Sequence, residues 1–118
     1  FRGKANCASC HAGPLTTADM QWYWREFAGD HLQRADPRIA PMLADLSGLP
    51  PAYILTAELD PLRDEGEAFG ERLRRAGIET RVVRAPGMVH GFARLTAHSE
   101  AAAAAVAAVA RALGEALG

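Results

Sequence analysis

A chain of 118 residues, 49% hydrophobic and 23% charged, has the make-up of one small globular domain or of part of a larger one. Its net charge of −1 and its scattered basic residues exclude the basic stripe of a nucleic-acid-binding surface. No apolar run approaches the ~18 residues of a membrane span, and no signal peptide is visible, which gives a cytoplasmic expectation.

Residues 1–14 (FRGKANCASCHAGP) show neither a helical nor a strand period and end in Gly-Pro. They read as a segment or junction distinct from residues 15–118. Cys7 and Cys10 are too close in sequence to staple a core, so they read as a motif. With His11 they form C-x-x-C-H, the spacing of covalent haem c: two thioethers to the porphyrin and one axial imidazole. Met20, Met42 or Met88 could supply the second axial ligand, and no spacing selects one. The wider GKANCASCHAGPL resembles the haem site of di-haem cytochrome c peroxidase-type proteins, and a used haem site would move the expected location to the periplasm. Zinc is the weaker alternative, because only His31 offers a fourth ligand. A junction with two free thiols is the bland alternative.

From Leu15 the pattern changes. Thr16 or Thr17 can cap a helix over 18–28, with Asp19 near its positive end and Gly29 as its stop. Met20, Tyr23, Trp24 and Phe27 share one helical face, and the aromatic cluster with Trp22 reads as core. Residues 30–51 are irregular, broken by Pro37, Pro41, Pro50 and Pro51.

Ala52 to Ala57 is a short apolar run suited to a buried parallel strand. A helix follows over 62–76, with Pro61 near its start, Asp64 and Glu65 at its positive end and Arg72, Arg74 and Arg75 at its negative end. Leu62, Phe69, Leu73 and Ala76 form its expected inward stripe, and Gly77 ends it. Residues 79–84 read as the next strand, Pro86-Gly87 as a turn, and an alanine-rich helix closes the chain over 99–117. Strand, helix, strand, helix with short loops predicts parallel strands joined by a right-handed crossover. The fold class is therefore α/β, a βαβα unit with at least one open strand edge, incomplete as a standalone domain and open to self-association. At this size only about two-thirds of the unfolded surface is buried, so the stability margin is thin.

That order sets Asp60 and His90 at the carboxyl ends of neighbouring strands, the edge where ligand chemistry collects in open α/β sheets. An acid followed by a histidine at such ends supplies two of the three members of a Ser-His-Asp triad. The bland alternatives are a helix cap for Asp60 and a surface-loop histidine for His90.

LPPAYILTAELDPLRDEGEAFGERLRRAG followed by APGMVHGF resembles the end of a hormone-sensitive-lipase-type esterase, an α/β-hydrolase group acting on carboxylic esters. The resemblance extends over residues 15–118, through LTTADMQWYWREFAG and ADPRIAPMLADLSG. It implies Asp60 as the triad acid and His90 as the base, with no metal or organic cofactor. Asp64, inside the first helical turn, reads as structural. It also implies that the aromatic helix lies near the substrate pocket. The family's H-G-G-G-type oxyanion motif is absent from the chain. Its serines, Ser9, Ser47 and Ser99, have no glycines two residues to either side, so the serine elbow is absent too. Losing one oxyanion donor alone costs about 10²–10³ in rate. The chain is therefore expected to be inactive alone, with a small ester as substrate only when the N-terminal half is supplied.

Overall fold

The structure, a computed structural model, describes residues 13–28 and 36–118. In chain order these form α1 (Thr17–Ala28), a 3₁₀ turn (Pro41–Leu43), β1 (Ala52–Leu59), α2 (Arg63–Arg75), β2 (Thr80–Val89), a second 3₁₀ turn (Phe92–Arg94) and α3 (Glu100–Leu117). β1 and β2 pair in parallel, with α2 as the crossover between them. This is the parallel strand–helix–strand–helix arrangement expected from the sequence.

The sheet lies between two helices. Side chains alternate along a strand, so Ile54, Thr56 and Val82 face α2 while Leu55, Ala57 and Ala85 face α3. On the α3 side the core is Ala57, Ala85, Phe92 and Ala102, with Leu55, Met88 and Ala105 packed against it. Alanines on both surfaces let the helix lie close to the strands. Ser99 starts α3, its Oγ accepting from the Ala102 amide at 3.2 Å.

On the other face α2 comes closer still. A Cβ placed on Gly70 would meet Val82 Cγ2 at 2.4 Å, and one on Gly66 would meet Thr56 Cγ2 at 3.2 Å. These two glycines, one helical turn apart, form the contact surface with Leu73. The expected stripe is thereby corrected: Leu73 is buried, Leu62 and Phe69 are half-buried and Ala76 is exposed. At Gly70 the interface admits no Cβ without a shift, so Leu62 and Phe69 flank the closest contact instead of filling it. Gly77 ends α2 at φ 80°, with the Ile78 amide reaching back to the Leu73 carbonyl and the Gly77 amide to that of Arg74, both at 3.0 Å.

Polar side chains stitch the same interface. Glu67 Oε1 accepts from Thr56 Oγ1 at 3.1 Å and Arg84 Nε at 2.8 Å, while Oε2 accepts from Arg84 Nη2 at 2.6 Å. The Arg84 hydrogen bonds hold the Glu67 carboxyl below the usual glutamate range. Arg72 donates to the carbonyls of Pro41, Met42 and Ala44, pinning the irregular segment onto α2.

Two further expectations are corrected. Pro86-Gly87 is not a turn, because β2 continues through it to Val89. Ala57 pairs with Ala85, but Leu59 pairs with Val89, so β1 advances two residues while β2 advances four. The surplus forms a bulge with Gly87 at φ 67°. The aromatic face of α1 is not core: Trp22, Tyr23 and Phe27 are 50%, 55% and 67% exposed, and Trp24 is half-buried. α1 nevertheless starts where its cap requires. Asp19's amide donates to Thr16 Oγ1 at 3.2 Å and Asp19 Oδ2 accepts from the Thr16 amide at 2.8 Å, a reciprocal capping pair. Gly29 and the expected stop lie outside the described residues.

Candidate active site

Asp60 follows β1 directly and His90 follows β2 directly. Parallel pairing makes these two strand ends neighbours, and the side chains meet: His90 Nδ1 lies 2.9 Å from Asp60 Oδ2. The Asp60 side chain is 11% exposed and that of His90 is 37% exposed. An ionised carboxylate only accepts, so the proton of this bond sits on Nδ1. The ring's other nitrogen, Nε2, then carries a lone pair.

Asp60 holds its orientation through its second oxygen. Oδ1 accepts from the Leu62 amide at 2.9 Å, closing a local turn, and the Arg63 amide reaches the Asp60 carbonyl at 3.1 Å. The sequence left Asp60 open as a helix cap, a histidine partner or both; in the structure its carboxylate closes the turn before α2, whose cap residue is Leu62 with no side-chain cap bond, and meets His90. Gly91, at φ 76°, turns the chain immediately after His90, a conformation that disfavours other residues. Phe92 anchors the turn in the core.

A cavity of about 330 Å³ adjoins the pair. Thr56, Gly66 and Leu62 line it from the α2 side, and Ala57 and Phe92 from the other. Lining from both faces of β1 places the cavity along the β1 edge that does not pair with β2. Among the described residues no strand occupies that edge. Neither described serine reaches the cavity: Ser99 caps α3, and the Ser47 amide donates to Asp45.

The remaining sequence candidates divide cleanly. Asp64 pairs with Arg63, Oδ1 to Nε at 2.7 Å, and stands 61% exposed, away from the cavity. Cys7, Cys10, His11 and His31 lie outside the described residues. Met88 packs against the core cluster. Among the described residues no group of three or more His, Cys, Asp or Glu gathers as a metal site would need.

Two features here escape a reading of the sequence. Gly66 and Gly70, which admit the α2–sheet contact, carry a legible signal in their i, i+4 spacing. Glu58 carries none: Oε2 accepts from the Gly87 amide at 2.7 Å across the bulge.

The sequence profile of the family described as an alpha/beta hydrolase fold matches residues 3–94. The chain is 43% identical over 83 residues to the carboxylic ester hydrolase LipN of Mycobacterium tuberculosis, covering 69% of this chain and 22% of that protein. It is 48% identical over 79 residues to the carboxylesterase NlhH of the same species, covering 64% of this chain and 25% of that protein. Among solved structures, an esterase of Pyrobaculum calidifontis superposes with a TM-score of 0.79 at 39% identity, over 83% of this chain and 32% of that one. The chain thus spans about a quarter of the length of the curated relatives it matches.

Proposed function

The chain belongs to the α/β-hydrolase fold, among its hormone-sensitive-lipase-type members, and on that footing we propose that it supplies the acid and the base of a serine carboxylester hydrolase. The observation that carries this reading is the 2.9 Å contact from His90 Nδ1 to Asp60 Oδ2. Asp60 fixes the imidazole in the tautomer whose Nε2 can take a proton, and it stabilises the imidazolium that results.

The nucleophile and the oxyanion donors come from sequence beyond this chain, and the serine-bearing strand occupies the open edge of β1. The serine Oγ attacks the ester carbonyl carbon while its proton passes to His90 Nε2. The tetrahedral intermediate then expels the alcohol, which takes that proton, and leaves an acyl-serine. Water repeats the sequence with His90 again as base, releasing the carboxylic acid and restoring the serine. The substrate class is the small carboxylic ester. The chemistry calls for no metal or organic cofactor, and we place the protein in the cytoplasm. Left without its partner strand, the open sheet edge would pair copies of this chain with one another.

The test is turnover of a p-nitrophenyl ester. The chain alone is expected to match the uncatalysed background. Joined to the N-terminal three-quarters of a relative, it is expected to hydrolyse the ester, and His90→Ala should then lower kcat by at least about 10³-fold. Turnover by the chain alone that His90→Ala abolishes would overturn this division of labour.

A second reading attaches to Cys7, Cys10 and His11, favoured by the C-x-x-C-H spacing alone. It makes residues 1–14 a covalent haem segment in the periplasm. A Soret band with the added mass of one haem, after expression with a cytochrome maturation system, would establish it. Absence of both sinks it.

A further inference from the structure

The bulge in β2 lies immediately before His90, so whatever fixes the bulge also fixes the histidine. Between the pairs Ala57↔Ala85 and Leu59↔Val89, β1 offers Glu58 alone, against Pro86, Gly87 and Met88 on β2. Pro86 has no amide hydrogen to offer a ladder. Gly87, at φ 67°, turns its amide out of the regular pattern. That N–H donates to Glu58 Oε2 at 2.7 Å, a short bond to a side chain that accepts as a carboxylate. The backbone of Glu58 is tied as well, its carbonyl accepting from Arg63 Nη1 at 2.7 Å.

Glu58 therefore bridges the two strand ends. It stands two residues before Asp60 on β1, and its partner Gly87 stands three residues before His90 on β2. A glycine in an open bulge has many backbone conformations available. A drift of about 1 Å at His90 would break the contact to Asp60, since hydrogen bonds weaken steeply beyond normal lengths.

We propose that Glu58 is a positioning residue for His90: by holding the Gly87 amide it sets the shape of the bulge that brings the imidazole to Asp60. This rests on the Asp60–His90 reading above. Glu58 touches neither the imidazole nor the substrate's reacting atoms in this scheme, and it acts only through the backbone.

The test is NMR of the full chain, reading the low-field proton of a hydrogen-bonded Nδ1–H and the ring ¹⁵N shifts of His90, assigned by their loss in His90→Gln. The wild-type chain should show the Nδ1–H tautomer. Glu58→Asp keeps the charge but shortens the reach, and Glu58→Ala removes the acceptor. Both should lose the low-field signal and show averaged tautomers, with circular dichroism unchanged. Glu58→Gln keeps an acceptor oxygen and should restore the signal. Retention of the wild-type signature in folded Glu58→Asp or Glu58→Ala would overturn the proposal while leaving the Asp60–His90 pair standing. A wild-type chain without the Nδ1–H signature would overturn that pair, and the positioning role with it.

Discussion

α1 and α2 start alike and end up differently placed. Both carry acidic residues in the first turn and both were expected to bury an apolar face. α2 lies so close to the sheet that only glycine fits at Gly70, and Glu67 ties it to both strands. α1 has a well-formed cap and leaves Tyr23 and Phe27 more than half exposed. A helix's caps and period are local properties, whereas burial needs a partner surface. The partners of α2 are β1 and β2, at hand in the same stretch of chain. Among the described residues nothing plays that part for the aromatic face of α1.

The contrast can be broken most directly at Gly70. In Gly70→Ala the new methyl meets a branched, stiff valine, and overpacking of this kind costs about 1–3 kcal/mol. A 2.4 Å approach puts the strain in the upper part of that range, about 2–3 kcal/mol, and the gain in helix propensity returns about 1 kcal/mol, so the net expectation is a loss of about 1–2 kcal/mol in urea unfolding. A variant as stable as the wild type would show that the α2 interface is looser than described.

Glu67 gives a smaller effect with a pH signature. Its folded-state pKa is depressed, chiefly by the Arg84 side chain, so the stability it adds is present at neutral pH and lost as pH falls through and below the ordinary glutamate range. Glu67→Gln should cost under about 1 kcal/mol at pH 7, in keeping with a partly exposed pair. The gap between variant and wild-type melting temperatures should close in acid. A gap that persists unchanged at pH 3 would remove the ionic part of the account.

The smallest effect belongs to α1. Phe27→Ala in the chain alone should change unfolding free energy by less than about 0.5 kcal/mol, because little apolar surface leaves contact. A loss of more than ~1.5 kcal/mol, the scale of burying a large apolar side chain, would mean that this face is covered in solution.

How legible the molecule was follows the same division. The starts and stops of α2 and α3 came from local chemistry, Gly77 and Ser99 above all, and the structure keeps them within a residue or two. The start of β2 was legible from its valines. Its continuation was not, because Pro86-Gly87 has the chemistry of a turn and only the pairing with β1 makes it a bulge. Asp60 and His90 stood out by their places after two strands; parallel pairing makes those strand ends neighbours, and the bulge shifts the register so that the two residues meet at 2.9 Å. Glu58 stayed hidden because the expected strand stopped at Ala57, one residue short of it, whereas β1 runs to Leu59. Its role depends on a glycine amide 29 positions away. The exposure of α1 was not legible, because an amphipathic period states a preference for a partner and not the presence of one.

The two oxygens of Asp60 are committed in opposite directions, and an amide in their place could not keep both commitments. In Asp60→Asn the Leu62 amide still needs an oxygen, so the side-chain nitrogen is turned toward the imidazole. That NH₂ donates, Nδ1 must accept, and the ring proton migrates to Nε2. The variant would keep its turn, its hydrogen-bond count and its fold, with the imidazole's only lone pair facing the wrong way. The bond to the Leu62 amide thus leaves His90 one tautomer for each residue at position 60, with aspartate selecting the one whose Nε2 carries no proton.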